Sequence, residues 1–115
     1  MKSQTGNWAG KQCRPCEGNV PGLDAETARC YVSELEGWKL REDAGAIQKE
    51  YLFRNFREVI QFFNAIAEVA ESENHHPDLK ISYRKVFVEL STHAVKGLSE
   101  NDFILAAKFD RCYPR

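Results

Sequence analysis

The chain has three histidines, all in its second half. His75 and His76 stand side by side before Pro77, and His93 follows 17 residues after His76. Histidine is the side chain whose unperturbed pKa lies nearest neutrality, so grouping every histidine in one region points to proton transfer. Glu71 precedes His75 by four residues. On a helix that spacing puts its carboxylate within reach of the imidazole, and a carboxylate there fixes the tautomer and favours the charged ring. Pro77 biases His76 away from helical backbone, so Glu71–Pro77 is expected to be the last turn of a helix and the loop beyond it. At that helix end the macrodipole favours a cationic imidazole by roughly 0.3–1 kcal/mol. Asp102 reads equally well as a helix cap, and Tyr83 equally well as an ordinary strand residue. Three histidines are also a zinc donor set, but adjacent imidazoles diverge, and no metal is expected here.

The elements that must position these residues follow from periodicity. Asp24 is an N-cap for a first helix with Ala25, Ala28, Tyr31, Val32 and Leu35 at helical spacing, closed near Gly37. Trp38–Glu42 alternates as a strand, Asp43–Gly45 is a turn, and Ile47–Phe53 returns with Ile47, Tyr51 and Phe53 on one side. Asn55 with Glu58 resembles a capping box for a long helix. Its apolar face is expected to be Phe56, Val59, Ile60, Phe63, Ile66, Ala67 and Ala70, with Phe62 and Val69 widening it toward a second surface. Leu79–Tyr83 and Val86–Thr92 alternate again, joined tightly at Arg84–Lys85, and parity puts Phe87, Glu89, Ser91 and His93 on one side. Ser99 opens a last helix, with Asp102 at the third position of a capping box and Phe103, Ile104, Ala106, Ala107 and Cys112 as its apolar face.

The expected fold is α+β: a four-stranded antiparallel sheet with three helices on one face, in the order α-β-β-α-β-β-α. Residues 1–22 carry four glycines, two prolines and Trp8, and read as an irregular arm before a domain spanning 23–115. The chain's 115 residues suffice for one modest core. A formal net charge of -1 gives no electrostatic footprint for nucleic acid or an anionic membrane. No apolar run approaches the roughly 18–20 residues a membrane span needs, and no apolar leader core is visible, so the cytosol is the expected location. Cys13-Arg-Pro-Cys16 in the arm is a CxxC pair. It reads as a structural pair, half of a metal site or a redox couple, and Cys30 and Cys112 are poorly placed to complete a zinc site.

Glu71, His75, His76, Pro77, Tyr83, His93 and Asp102, seven positions across 32 residues, resemble the signature of the pterin-4a-carbinolamine dehydratases. The resemblance runs along residues 23 to 113 in the same order of elements. The arm with its CxxC resembles an extension found in some microbial and plastid members and absent from the animal enzymes, so nothing catalytic transfers to it. The resemblance implies removal of water from 4a-hydroxytetrahydropterin to give quinonoid dihydropterin, with no metal or organic cofactor, recycling tetrahydropterin. It implies His75 and His93 as acids at the 4a-hydroxyl. His76 would be chiefly a pterin-binding group that can assist as base, with Glu71 orienting His75. Pro77, Thr92 and His93 would line the pterin, and Tyr83 and Asp102 would support the site. It further implies homodimers or homotetramers and a small-molecule pterin partner. The competing readings are a non-catalytic pterin-binding or protein-assembly module of the same fold, a role in molybdopterin-linked pterin metabolism, and a small metal-binding regulator built on Cys13 and Cys16.

Overall fold

The computed structural model describes residues 8–13 and 21–114. Cys16, and with it the CxxC pair as a unit, lies outside the described residues. The element order is α1 (Ala25–Val32), β1 (Lys39–Leu40), β2 (Ile47–Leu52), α2 (Phe56–Glu73), β3 (Asp78–Ser82), β4 (Lys85–Leu90), a 3-10 turn (His93–Val95) and α3 (Glu100–Cys112). The four strands form one antiparallel sheet in the order β1-β2-β4-β3. The fold is the α+β arrangement expected from the pattern.

Period-two alternation decides the sheet's faces. Ile47 and Tyr51 of β2 and Val86, Val88 and Leu90 of β4 are buried toward the helices. Gln48, Glu50, Lys85, Phe87 and Glu89 face the other way and keep contact with solvent. β1 is shorter than the alternation of Trp38–Glu42 suggests. Arg41 leaves the ladder to close the turn, its N–H donating to the Ala46 carbonyl and its guanidinium to Asp43.

α2 is the helix that delivers the histidine pair. Asn55 caps it by accepting from Glu58 N–H, while the Glu58 carboxylate bonds Arg54 N–H rather than the cap residue's own. Its buried stripe is Val59, Phe62, Ile66 and Ala70. This corrects the expected face: Phe56, Ile60 and Ala67 are exposed and Phe63 is half-buried. The helix has two adjacent apolar stripes, and only the one carrying Phe62 meets this chain's own sheet and α3. Burying Val59, Phe62 and Ile66 contributes roughly 1.5–3 kcal/mol each. Among the described residues no helix is long and apolar enough to cross a membrane.

Candidate active site

The site begins where α2 ends. Asn74 takes the left-handed conformation, φ 55°, which Asn tolerates better than most residues, and it reverses the chain. The His75 N–H then bonds back to the Ala70 carbonyl, and His75 turns inward, 6% exposed. His76, the residue before Pro77, stays exposed.

α3 supplies the group that meets His75. Ser99 and Asp102 form a reciprocal capping box, with Ser99 N–H donating to Asp102 Oδ2 at 3.0 Å. The same carboxylate is fully buried and serves two further partners. Thr92 Oγ1–H donates to Oδ2 at 2.8 Å, and His75 Nε2 lies 2.7 Å from Oδ1. An ionised carboxylate only accepts, so His75 carries a proton on Nε2. With Thr92 donating to Asp102, the 2.8 Å contact between Thr92 Oγ1 and Ser99 Oγ has Ser99 as donor. Among the described residues no buried side-chain nitrogen or oxygen lacks a hydrogen-bond partner.

Glu71 does not orient His75 as the four-residue spacing suggests. Its Oε1 lies 3.1 Å from His76 Nε2 instead. The helix stops at Glu73. The left-handed Asn74 then carries His75 off the Glu71 face and brings His76 onto it.

Asn74, His75, His76, Pro77, Asp78, Ser91 and His93 line one cleft of about 300 Å³. His93 reaches it from the 3-10 turn after β4 rather than from a continued strand, because Thr92 leaves the ladder to bridge Gly97. Thr92 itself is buried behind the cleft, on Asp102. Tyr83 is not brought in. It sits 67% exposed in the β3–β4 turn. At about 3.3 Å per residue, β3 puts it roughly 16 Å from the cleft. Sequence reasoning missed Asn74, Asp78 and Ser91 as lining residues, although Ser91 shares parity with His93 and could have been found that way. Among the described residues no three His, Cys, Asp or Glu side chains converge as metal ligands. A larger cleft, about 470 Å³, lies between Leu52, Phe53, Arg54, Glu58, Tyr113 and Pro114. It holds no histidine, and its Arg54 and Glu58 already pair.

The sequence pattern of the family described as Pterin 4 alpha carbinolamine dehydratase matches residues 21–112. The chain belongs to that family. A relative from Nitrosospira multiformis is 42% identical over 98% of both chains, and one from Dechloromonas aromatica is 48% identical over 91% of this chain and 92% of its own. Both carry the name pterin-4-alpha-carbinolamine dehydratase provisionally. Among solved structures, a transcriptional coactivator/pterin dehydratase from Brucella melitensis is 28% identical and superposes with a TM-score of 0.78, covering 82% of this chain and 100% of its own. A pterin dehydratase-like RuBisCO assembly factor of the alpha-carboxysome shares the fold, with a TM-score of 0.59 and 19% identity over 67% of this chain and 89% of its own.

Proposed function

We propose that this chain dehydrates 4a-hydroxytetrahydropterin to quinonoid dihydropterin in the cytosol by histidine acid–base catalysis, returning pterin for reuse. The observation that carries the reading is the cleft itself: His75, His76 and His93 line one space, and His75 is backed by the buried Asp102. The chemistry asks for that arrangement. The C4a–O bond breaks as a proton reaches the hydroxyl, which leaves as water. The proton on N5 departs, and its bonding pair becomes the C4a–N5 double bond. One acid and one base suffice, and positioned groups of this kind supply roughly 10²–10⁴-fold.

In this reading His75 and His93 protonate the departing hydroxyl. His76 holds the pterin and accepts the N5 proton, and Glu71, at its Nε2, stabilises the imidazolium that forms. Asp102 fixes the His75 tautomer and ring orientation. Pro77 stiffens the loop between the paired histidines and β3. The backbone around Thr92 and His93 helps hold the pterin ring. No metal or organic cofactor is assigned a step.

A stopped-flow measurement of 4a-hydroxytetrahydropterin dehydration tests the reading. The wild-type chain should accelerate it, and a folded H75A/H93A double variant should not. Wild-type rates in that variant would overturn the assignment. A second reading, a non-catalytic coactivator-type module, draws on the two roles named for the Brucella protein. A folded wild-type chain that binds pterin without turnover would favour it.

A further inference from the structure

We propose that Trp8–Cys13 is a positioning strap: it ties the end of α2 to the start of α3 and thereby holds His75 and Asp102 at hydrogen-bonding distance, with Glu73 as its anchor. The family's sequence pattern begins at residue 21, so this segment lies outside what the family shares. The Nitrosospira relative matches over 98% of the chain and so extends through it.

The contacts are specific. Cys13 N–H donates to Glu73 Oε1 at 2.8 Å, and Lys108 Nζ lies 3.5 Å from Glu73 Oε2. The same ammonium donates to the Ala9 carbonyl at 2.9 Å. The Cys13 thiol points at the Asn101 carbonyl, 3.7 Å away. Trp8, 4% exposed, packs against Phe103 and Tyr31 with ring centroids 5.7 and 5.0 Å apart, and its indole N–H donates to Glu34.

The positions of these contacts carry the argument. Glu73 is two residues before His75, and Asn101 and Phe103 flank Asp102 on either side. The strap therefore grips both elements within two residues of the pair whose distance it would fix. Glu73 and Lys108 have no place in the cleft, and a partly buried carboxylate with both oxygens engaged is a costly anchor to keep for a loose tail. Burial, reinforced by Glu73, pushes the Cys13 thiol up to about 12, as expected of a residue that docks rather than reacts.

The catalytic consequence rests on the dehydratase reading, whereas the geometric one does not. The test uses full-length Trp8→Ala, Glu73→Ala and Glu73→Gln. Its direct readout is the downfield proton resonance of His75 Nε2–H, assigned by its loss in Asp102→Asn. In both alanine variants this resonance should vanish by exchange at 25 °C while circular dichroism stays native. In both, kcat should fall by about tenfold with KM nearly unchanged, less than the roughly hundredfold that a 1 Å misplacement can cost. Glu73→Gln keeps a carbonyl acceptor for Cys13 N–H and should restore the resonance. A folded Glu73→Ala protein with the resonance intact overturns the strap, whether or not kcat falls. Should Trp8→Ala fail to fold, Glu73→Ala decides alone. If the wild-type chain dehydrates nothing, the dehydratase reading falls and the resonance still decides the strap.

Discussion

The two histidine–carboxylate pairs differ enough to rank their importance. His75–Asp102 is 2.7 Å apart with side chains 6% and 0% exposed, whereas His76–Glu71 is 3.1 Å apart with 56% and 81%. A solvent-exposed pair is worth roughly 0.2–1 kcal/mol, so Glu71→Gln should lower kcat by no more than about fivefold. Breaking a buried pair costs about 3–5 kcal/mol when one charge is left alone. Asp102→Asn keeps the shape but offers His75 an amide, which permits the other tautomer. Its kcat should fall by roughly a hundredfold or more, within the range general acid–base groups supply. Stopped-flow rates on the two variants check both expectations, and equal losses would refute the ranking. The histidine cluster was legible because residue type and spacing alone drew attention to it. Its pairing was not. The four-residue rule from Glu71 holds only while the helix continues, and Asn74 ends it one residue too early. Asp102 looked like either a cap or a site residue, and its carboxylate does the capping while also meeting His75: one oxygen serves Ser99 and Thr92 and the other serves His75.

At the scale of elements, local signals fared well wherever the answer was local. Asp24, Asn55 and Ser99 all cap the helices they were expected to open. The choice among the apolar stripes of α2 was not local, because Phe56, Ile60 and Phe63 fit helical spacing as well as Phe62 does. Only the position of the sheet and α3 selects the Phe62 stripe. The irregular arm carries one large apolar residue, Trp8, and its packing orders the arm: Trp8 is as buried as a core residue, against Tyr31 and Phe103, partners too far along the chain for a local pattern to name. Docking has a chemical consequence for Cys13. Burial and the neighbouring Glu73 carboxylate push its thiol up to about 12, so at pH 8 the docked residue presents far less thiolate than an exposed cysteine. Cys30 is exposed. Iodoacetamide at pH 8, followed by peptide mapping, should therefore label Cys30 first and Cys13 slowly. The sign is fixed: raising pH toward 12 should accelerate Cys13 labelling, and Trp8→Ala should accelerate it at constant pH. Equal rates for Cys13 and Cys30 in the native protein would contradict the docked arrangement.

At the scale of the molecule, the sheet order β1-β2-β4-β3 leaves β3 as an edge. Its outer N–H and C=O groups are a template for another strand, which monomeric proteins usually blunt. Ile81, on that edge, is 41% exposed, and on α2 Phe56 and Ile60 are 46% and 38% exposed. Phe56 and Ile60 are therefore an apolar stripe of α2 that the described residues leave exposed. The homo-oligomer implied by the resemblance would account for both features. On that reading Ile60→Lys, which puts a charge in the middle of the α2 stripe while sparing the Val59–Ala70 core line, should reduce the assembled mass. Ile81→Lys should weaken pairing at the β3 edge. If the edge and the stripe serve separate contacts, each variant removes one step of assembly and the double variant is monomeric. Sedimentation velocity at micromolar concentration reads this directly. A wild-type protein that already sediments as a monomer of 13.2 kDa would sink the proposal. The contrast with the cleft also makes the outcome informative. Neither isoleucine lines it, so a loss of dehydratase rate on dissociation would show that assembly supports the site from outside the chain.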